Sequence, residues 1–235
     1  MSAIEGKVSI VIPVLNDRDS LQSLLDALQP CRAEGHEVLV VDGGSNDGSM
    51  TCARSLADRV LMTGTGRGRQ MNLGAENARH ELLLFLHADS ELPPGAPACI
   101  HKALTNSGRH WGRFDVALDA RGPVYRLIAA MMNLRSRLSG VATGDQGIFV
   151  KKQLFHEVGG FRAIPLMEDI ALSKTLRSHS RPVCLSARIT TSARRWQEHG
   201  VFSTIWLMWR LRLAYFLGAD PEDLVQQYYP ETGDE

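Results

Sequence analysis

The sequence predicts an α/β fold in which an open, mostly parallel sheet is flanked by helices and followed by a C-terminal helical segment. Short β-branched runs occupy residues 8–12 and 37–41, and each precedes a segment with helical periodicity. A third run at residues 59–62 is followed, after another helix-like segment at residues 70–79, by a continuous apolar run at residues 82–86. Runs that are apolar throughout are typical of parallel sheets covered on both faces.

The second half of the chain has a different pattern. Residues 123–138 carry Arg126, Arg135 and Arg137 among apolar residues at helical spacing. The pattern then predicts a strand at residues 148–150, a helix at 171–178 and a long helix at 201–217 that is rich in Trp, Phe and Leu.

Length and composition favour one domain spanning residues 1–235. The chain has 235 residues, of which 44% are hydrophobic and 22% are charged, so its core needs no disulfide or metal to hold it. We divide this domain into a first half (residues 1–90), a second half (91–200) and a C-terminal helix with an acidic tail (201–235).

The charge balance and the cysteines exclude some classes of function. The 26 Lys and Arg residues match the 26 Asp and Glu residues, whereas binding of nucleic acid through bulk charge needs a basic excess. No nucleic-acid partner is therefore expected. The four cysteines are far apart and lack C-x-x-C spacing, which argues against a disulfide framework or a zinc knuckle.

The sequence predicts a cytoplasmic protein. The apolar run at residues 8–15 is too short for a signal peptide and contains Pro13. The best candidate for a membrane span, residues 201–217, contains Arg210 and Arg212.

Three loops are candidates for chemistry, because open α/β sheets bind ligands at the carboxyl ends of their strands. These loops follow Ile12, Val41 and Leu86. If the strand that contains Leu86 continues, His87 and Asp89 lie on the same face, an arrangement that suits Mg²⁺ or Mn²⁺. In the alternative interpretation, Asp89 caps a turn and His87 is a core histidine.

Two glycine-rich segments follow the second and third strands. Residues 42–48 (DGGSNDG) permit either close approach of a nucleotide or a plain turn with a helix cap. Residues 64–69 (GTGRGR) are similar to a phosphate-binding loop, but their spacing is not that of a dinucleotide-binding fingerprint.

An acidic pair, Glu168 and Asp169, stands at the start of a helical segment after Pro165. Acidic residues in this position complement the helix dipole, and the alternative is that one of them is a general base.

Taken in order, these segments resemble glycosyltransferase family 2, whose members are inverting enzymes of the GT-A fold that use nucleotide-diphosphate sugars. The matching segments cover nearly the whole chain: residues 8–16 (VSIVIPVLN), 40–48 (VVDGGSNDG), 85–90 (FLHADS), 144–152 (GDQGIFVKK), 158–161 (VGGF) and the pair Glu168–Asp169. The chain is also similar to a small bacterial subgroup, often encoded beside radical-SAM proteins, through residues 68–72 (GRQMN), 86–89 (LHAD) and 192–196 (SARRW).

The resemblance implies inverting, metal-dependent transfer of a sugar from a nucleotide-diphosphate sugar to an acceptor hydroxyl. Residues 1–90 would bind the nucleotide and residues 91–200 the acceptor, with Mn²⁺ or Mg²⁺ as the cofactor. Asp169 is implied as the catalytic base, with Glu168 beside it, and Asp89 and His87 as metal ligands. The implied substrate-binding residues are Pro13, Val14, Asp42, Gly43, Arg67, Arg69, Asn72, Asp145, Gln146, Arg194 and Arg195.

Two positions depart from the family's pattern. Asp42 is followed by Gly43 where the family usually has a second Asp, so a contact to the nucleotide base is missing. His87 stands at the first Asp of the D-x-D motif, which leaves Asp89 as the direct match to the metal ligand.

Four arginines have two interpretations. Arg67, Arg69, Arg194 and Arg195 either line the diphosphate side of the donor, since guanidinium groups match phosphate geometry, or form an exposed basic face.

Two alternatives to a glycosyltransferase remain at this point. A nucleotidyltransferase would share the sheet and the metal carboxylate but attack phosphorus. A non-catalytic sugar-nucleotide binding protein would explain the altered D-x-D motif.

The long C-terminal helix carries an apolar face at three- and four-residue intervals, formed by Phe202, Ile205, Trp206, Trp209, Leu213 and Phe216. Packing on the domain core is the first expectation for this face, a homodimer interface the second and peripheral membrane contact the third. The acidic tail beyond Ala219 is the reason for ranking a dimer above a membrane.

Overall fold

The computed structural model describes residues 6–228, and the end of the predicted acidic tail, residues 229–235, lies outside this range. The described residues form one eight-stranded sheet. Its strands are β1 (Val8–Val14), β2 (Glu37–Asp42), β3 (Arg59–Met62), β4 (Leu82–Phe85), β5 (Ser90–Glu91), β6 (Trp111–Leu118), β7 (Ile148–Lys151) and β8 (Val183–Thr191).

Helices connect and cover these strands. In the described part of the chain they are α1 (Arg18–Ala27), α2 (Gln29–Ala33), α3 (Ser49–Leu56), α4 (Arg67–Asn77), α5 (Ala96–Ser107), α6 (Pro123–Ser139), α7 (Lys152–Glu157), α8 (Glu168–His179), α9 (Arg194–His199), α10 (Val201–Phe216) and α11 (Pro221–Tyr228). A short 3-10 turn, Gly144–Gln146, precedes β7.

The strand order across the sheet is β3-β2-β1-β4-β7-β6-β8-β5. The first four strands in this order, β3, β2, β1 and β4, are parallel to one another, and Ile10 of β1 lies between Val38 of β2 and Leu84 of β4. Strands β4 and β7 are antiparallel, as are β7 and β6 and also β8 and β5, whereas β6 and β8 are parallel. The second half of the sheet is therefore mixed, and four of the seven strand pairs are parallel.

Strand β1 lies at the centre of the parallel half and is buried over its whole length. One of its faces packs with Leu21 and Leu25 of α1, and the other packs with Met71 of α4. Helix α4 approaches β1 closely at Gly74, where a Cβ atom would lie 2.3 Å from Val11 Cγ1. Continuous burial on both faces explains why β1 has no polar alternation.

The structure confirms the strands predicted in the first half and corrects two boundaries. Helix α4 begins at Arg67, within the glycine-rich segment, rather than at Gln70. Strand β4 ends at Phe85 and Ala88–Asp89 form a turn, so the strand does not continue through His87. Elements that were not predicted are the strands β5, β6 and β8 and the helices α5, α7, α9 and α11.

The apolar face of α10 does not pack on the core, which corrects the first expectation for this helix. Phe202 is 86% exposed, Trp206 is 72% exposed and Trp209 is 64% exposed. The side of α10 that does pack carries Leu211, which contacts a cluster with Ile170 of α8. No helix between residues 6 and 228 is long and apolar enough to cross a bilayer.

Candidate functional site

A cleft of about 820 Å³ opens where β1 and β4 end, at the edge of the sheet that the strand pattern indicated. Eight of the site residues predicted from the sequence line it, which are Pro13, Val14, Arg67, His87, Asp89, Asp145, Arg194 and Arg195. The other predicted site residues, Asp42, Gly43, Arg69, Asn72, Gln146, Glu168 and Asp169, do not belong to its lining.

Hydrogen bonds join the loops that follow β1 and β2. Asn16 donates its backbone N–H to Ser45 Oγ at 2.9 Å, and its Oδ1 accepts from the Asn46 N–H at 2.9 Å. Asp47 accepts the backbone N–H groups of Arg18 and Ser49. The DGGSNDG segment is thus a turn whose side chains fix the wall of the cleft.

Asp42 and Gly43 lie behind this wall. Asp42 is buried, and its Oδ2 accepts the backbone N–H groups of Gly44 and Ser45, whereas its Oδ1 has no hydrogen-bond partner among residues 6–228. Gly43 is packed against Gln70, since a Cβ atom at residue 43 would lie 3.1 Å from Gln70 Nε2.

Gln70 is a lining residue that the sequence interpretation did not single out, although it lies within the GRQMN motif. Its Nε2 donates to the carbonyl oxygens of Val14 and Val41, both at 2.8 Å. One side chain therefore ties together the ends of β1, β2 and the first turn of α4.

The N-terminus of α4 faces the cleft, where Gly66 and Arg67 line it. Helix N-termini present unpaired backbone N–H groups and a partial positive charge, which favours an anion. Arg69 is exposed but not in the lining, because residues two apart on a helix point about 200° away from each other.

The centre of the cleft holds two carboxylates and an imidazole. His87 Nδ1 lies 3.5 Å from Asp145 Oδ1. Burial opposes the charge on both groups, but their mutual contact and the neighbouring charges together outweigh it and hold the pKa of His87 above and that of Asp145 below the ordinary value. Burial raises the pKa of Asp89, and the charge of Asp145 adds to the rise while His87 works against it.

The other nitrogen of the His87 ring packs against Gly144. A Cβ atom at residue 144 would lie 2.3 Å from His87 Nε2, so glycine is the residue that fits here. Both ring nitrogens of His87 thus have protein neighbours.

Glu168 and Asp169 line a cavity of about 10 Å³, the volume of about one water molecule, on the other side of His87. Asp169 Oδ2 accepts the N–H of Gly144 at 2.8 Å, and its Oδ1 accepts the N–H of Ile170 at 2.6 Å. Burial raises the pKa of both acids, that of Glu168 to about 7, and the charge of Asp169 adds to the shift at Glu168.

The backbone before this acidic pair is in an unusual conformation. Met167 has a φ of 68°, in the left-handed region that favours glycine. Asn16, which lines the cleft, has a φ of 49°. Strained residues of this kind cluster at functional sites.

Arg194 and Arg195 reach the cleft from the far side. The guanidinium of Arg195 lies 3.5 Å from the centroid of the Tyr228 ring and donates to the Tyr228 carbonyl at 2.7 Å. Trp196 and Tyr228 also line this side, and Tyr228 was not predicted because it belongs to the separate helix α11.

Asn72 and Gln146 form internal hydrogen bonds instead of facing the cleft. Asn72 exchanges two hydrogen bonds with the backbone of Phe161, at 2.8 and 2.9 Å. Gln146 forms a capping box with Thr143 and is fully buried. Their amide groups are thus already paired with protein.

The residues at the centre fit a divalent cation whose coordination is completed by a ligand. No three His, Cys, Asp or Glu side chains among residues 6–228 form a metal site by themselves. Asp89 and Asp145 nevertheless share the cleft, and burial raises the pKa of Asp89, so a bound cation would stabilise its ionised form. Mg²⁺ is held in this way, by one or two carboxylates and by substrate phosphates.

The overall fold is similar to that of GT-A glycosyltransferases of known structure. The TarS fragment 1–349 of S. aureus in complex with UDP-GlcNAc has a TM-score of 0.65 at 19% identity, covering 79% of this chain and 58% of that one. The mannosyltransferase PcManGT of Pyrobaculum calidifontis, in complex with GDP-Man and Mn²⁺, has a TM-score of 0.60 at 18% identity, covering 97% and 65%. This likeness establishes the fold.

The family follows from the sequence. Residues 9–165 match the model of Glycosyl transferase family 2, and the chain therefore belongs to that family.

Two curated relatives are similar to the chain. One is the undecaprenyl-phosphate 4-deoxy-4-formamido-L-arabinose transferase of Klebsiella pneumoniae, 30% identical over 168 residues, which cover 64% of this chain and 49% of the relative. The other is the transferase of the same name from Yersinia pestis, 28% identical over 210 residues, which cover 82% and 58%. The chain thus spans about half the length of the curated relatives that it matches.

Proposed function

We propose that this chain transfers a sugar from a nucleotide-diphosphate sugar to an acceptor hydroxyl with inversion at the sugar carbon. The observation that carries the proposal is the juxtaposition, in one cleft, of the α4 N-terminus and Arg67 with the carboxylates of Asp89 and Asp145. A helix N-terminus with an arginine suits a diphosphate, and carboxylates suit the cation that accompanies it.

Relatives and neighbours with known ligands support the same substrate class. The TarS structure contains UDP-GlcNAc and the PcManGT structure contains GDP-Man with Mn²⁺. Under this proposal the first half of the chain, with Pro13, Val14, Asp42 and Gly43 near the ends of β1 and β2, binds the nucleotide.

For the cofactor, we assign Asp89 as the carboxylate that holds Mn²⁺ or Mg²⁺. Asp145 is a second candidate ligand because it lines the same cleft. His87 is a metal ligand only if its ring gives up its contacts with Asp145 and Gly144. We therefore expect substitution of His87 to weaken metal binding less than substitution of Asp89. The cation would stabilise the negative charge that develops on the departing diphosphate.

For the reaction itself, we assign Asp169 as the base that takes the proton of the acceptor hydroxyl, with Glu168 beside it. A buried carboxylate with a raised pKa is a stronger base than an exposed one, which suits proton removal near neutral pH. Arg67 and Arg194 would hold the diphosphate from opposite sides of the cleft. A single displacement from the opposite face inverts the configuration.

Product analysis tests the proposal against its alternatives. The protein is incubated with UDP-sugars and GDP-sugars and Mn²⁺, and the products are separated by chromatography. Release of a nucleoside diphosphate supports glycosyl transfer to an acceptor or to water. Release of pyrophosphate would indicate a nucleotidyltransferase, and binding without turnover would indicate a non-catalytic sugar-nucleotide binding protein.

A further inference from the structure

Exposed apolar side chains are concentrated on two helices of this protein. Of the thirteen large hydrophobic side chains exposed between residues 6 and 228, five lie on α6 and six on α10 and the adjacent Leu217. Those on α6 are Val124, Leu127, Met131, Leu134 and Leu138, and those on α10 are Phe202, Trp206, Trp209, Leu213 and Phe216. Surface patches of this size mark interaction sites.

On each helix these side chains form one stripe. At about 100° per residue, the exposed positions of α10 fall within a narrow sector, and Arg210 and Arg212 lie on its two sides. Leu211 lies half a turn away and is fully buried. This arrangement is that of an interfacial helix, in which arginines flank the apolar face and extend toward charged groups.

Helix α6 is held to the sheet by polar contacts, which leaves its apolar stripe unused. Asn133 exchanges hydrogen bonds with the backbone of Val116, at 2.8 and 3.0 Å. Arg137 donates to Asp115 at 2.6 Å. Leu127 and Leu134 project elsewhere and are exposed.

Both helices border the same cleft. Met132 of α6 lines it, as do Thr204 and Met208 of α10. On α10 the lining residues Thr204 and Met208 lie on the side of Leu211, roughly half a turn from the exposed stripe, so the helix separates the stripe from the cleft.

The charge on these helices identifies the occupant. Helices α6 and α10 contain no acidic residue. Arg126 and Arg210 are exposed and Arg212 is partly exposed, whereas Arg137 donates to Asp115 and Arg135 lies near the charges of Asp169 and Asp145. In a symmetric dimer through these faces, arginines would meet arginines, and neither helix supplies a carboxylate to pair with them. An anionic lipid surface instead offers the opposite charge, and Trp side chains favour the boundary between lipid and water.

The acidic residues of α11 do not lie on this surface. Leu224 of α11 packs in one cluster with Leu211, on the side of α10 opposite the exposed stripe. Glu222 and Asp223 therefore belong to a helix behind α10 as seen from the stripe.

We propose that the exposed faces of α6 and α10 dock this protein on an anionic lipid bilayer. This inference goes beyond the proposed sugar transfer and does not depend on it. It requires neither a spanning helix nor a covalent anchor, because a lipid surface binds the helices through their apolar stripes and the flanking arginines.

Co-sedimentation with vesicles tests the proposal. We expect the protein to bind vesicles of phosphatidylcholine mixed with phosphatidylglycerol, to bind pure phosphatidylcholine much more weakly, and to dissociate as NaCl is raised. The double variant Trp206→Glu/Trp209→Glu should lower the partition coefficient by about tenfold or more. Met62→Glu is the matched control, since Met62 is 63% exposed but lies on β3, and it should leave binding unchanged.

Two further measurements separate lipid binding from misfolding and from dimerisation. On vesicle binding the fluorescence of exposed Trp206 and Trp209 should shift to the blue, whereas Trp111 is buried and gives no change. Arg210→Gln and Arg212→Gln should each weaken binding to anionic vesicles by about fivefold, with little effect on neutral ones.

The proposal is overturned if the folded wild-type protein ignores anionic vesicles. It is also overturned if light scattering shows a dimer that the Trp206→Glu/Trp209→Glu variant dissociates while vesicle binding persists. A loss of binding in Met62→Glu equal to that in the double variant would show that the effect is not specific to these helices.

Discussion

Asp89 is a partly buried carboxylate that lines the cleft. Burial raises the pKa of Asp89, and Asp145 in the same cleft adds a second negative charge. A divalent cation bound with the donor would remove this excess, so metal and nucleotide are expected to bind together.

Asp89→Asn tests this coupling. The variant should keep its fold and lose at least about tenfold in Mn²⁺-dependent affinity for a nucleoside diphosphate, because an amide is a poor ligand for a hard cation. Isothermal titration with UDP and GDP, with Mn²⁺ and with EDTA, measures the difference. Asp19→Asn, an exposed change in the first turn of α1, is the control. Equal Mn²⁺ dependence in Asp89→Asn and wild type would contradict the assignment.

The roles of Glu168 and Asp169 are separable by kinetics. If Asp169 is the base, Asp169→Asn lowers kcat by about a hundredfold or more and leaves the donor Kd nearly unchanged. Glu168→Gln is the matched variant and should have the smaller effect on kcat. A loss of donor binding in Asp169→Asn would instead identify Asp169 as a positioning residue that acts through Gly144, whose N–H it accepts.

Glu168 also makes stability depend on pH. Its pKa is about 7 in the folded protein and near 4.5 otherwise, so between these values the folded state holds a proton that the unfolded chain has lost. Stability therefore falls as pH rises through this interval. Relative to wild type, Glu168→Gln should gain up to about 3 kcal/mol of unfolding free energy between pH 5 and pH 8.

Urea unfolding of both proteins at the two pH values measures this difference. The control is Gln153→Glu, which exchanges the same two residue types at an exposed position of α7. Parallel curves for Glu168→Gln and wild type would show that Glu168 is ionised throughout.

For single residues, the sequence predicted which side chains lie near the cleft more accurately than it predicted their hydrogen-bond partners. His87 and Asp89 share the cleft although the strand ends before them, because the turn at Ala88 and Asp89 brings both side chains to the cleft. Asn72 lies in a motif that the family shares, yet its amide is paired with the Phe161 backbone, 89 residues away. Spacing along the chain carries no information on such a distant partner.

Among the elements, α4 links the sheet to the cleft. Its first turn supplies Arg67 and Gln70, and its Gly74 allows close packing on β1. The positions of the two strand ends thus depend on one amide, that of Gln70, which donates to carbonyl oxygens of both strands.

Gln70→Leu should destabilise the protein by about 1–2 kcal/mol, because the carbonyl oxygens of Val14 and Val41 each lose a hydrogen bond, although that of Val14 keeps the one from the Gly43 N–H. It should also weaken binding of a nucleoside diphosphate, because the first turn of α4, which lines the cleft, is no longer tied to the ends of β1 and β2. Chemical denaturation and titration calorimetry measure the two effects. Gln153→Leu removes an exposed hydrogen bond on α7 and should change neither. Wild-type stability in Gln70→Leu would show that these carbonyls find other partners.

The elements that the sequence did not reveal have polar residues inside. Strand β6 contains Arg113, which is fully buried and paired with Asp115. A pattern that assigns charged residues to the surface therefore misses β6, whereas β1 and β4 contain no charged residue and were identified. Strand β8 is only partly buried along most of its length and gives an equally weak signal.

For the molecule as a whole, the cleft should distinguish a diphosphate from a nucleoside. Arg67→Gln should weaken binding of UDP or GDP by about tenfold and leave binding of the corresponding nucleoside nearly unchanged, since a guanidinium group forms strong hydrogen bonds with phosphate. Thermal unfolding with each ligand measures this, because binding to the native state raises stability. Arg69→Gln is the matched control on the same helix. Equal weakening of diphosphate and nucleoside would argue against a phosphate contact at Arg67.

The order of the strands has a consequence for synthesis on the ribosome. Strands β1 to β4 assemble from contiguous sequence, but the free edge of β4, Leu82–Phe85, is covered by β7 (Ile148–Lys151), which emerges much later. Until then the nascent chain exposes an apolar strand edge, the kind of surface that pairs with other chains. The half-made protein is therefore the form most at risk of aggregation, and slower elongation after β4 would prolong that risk.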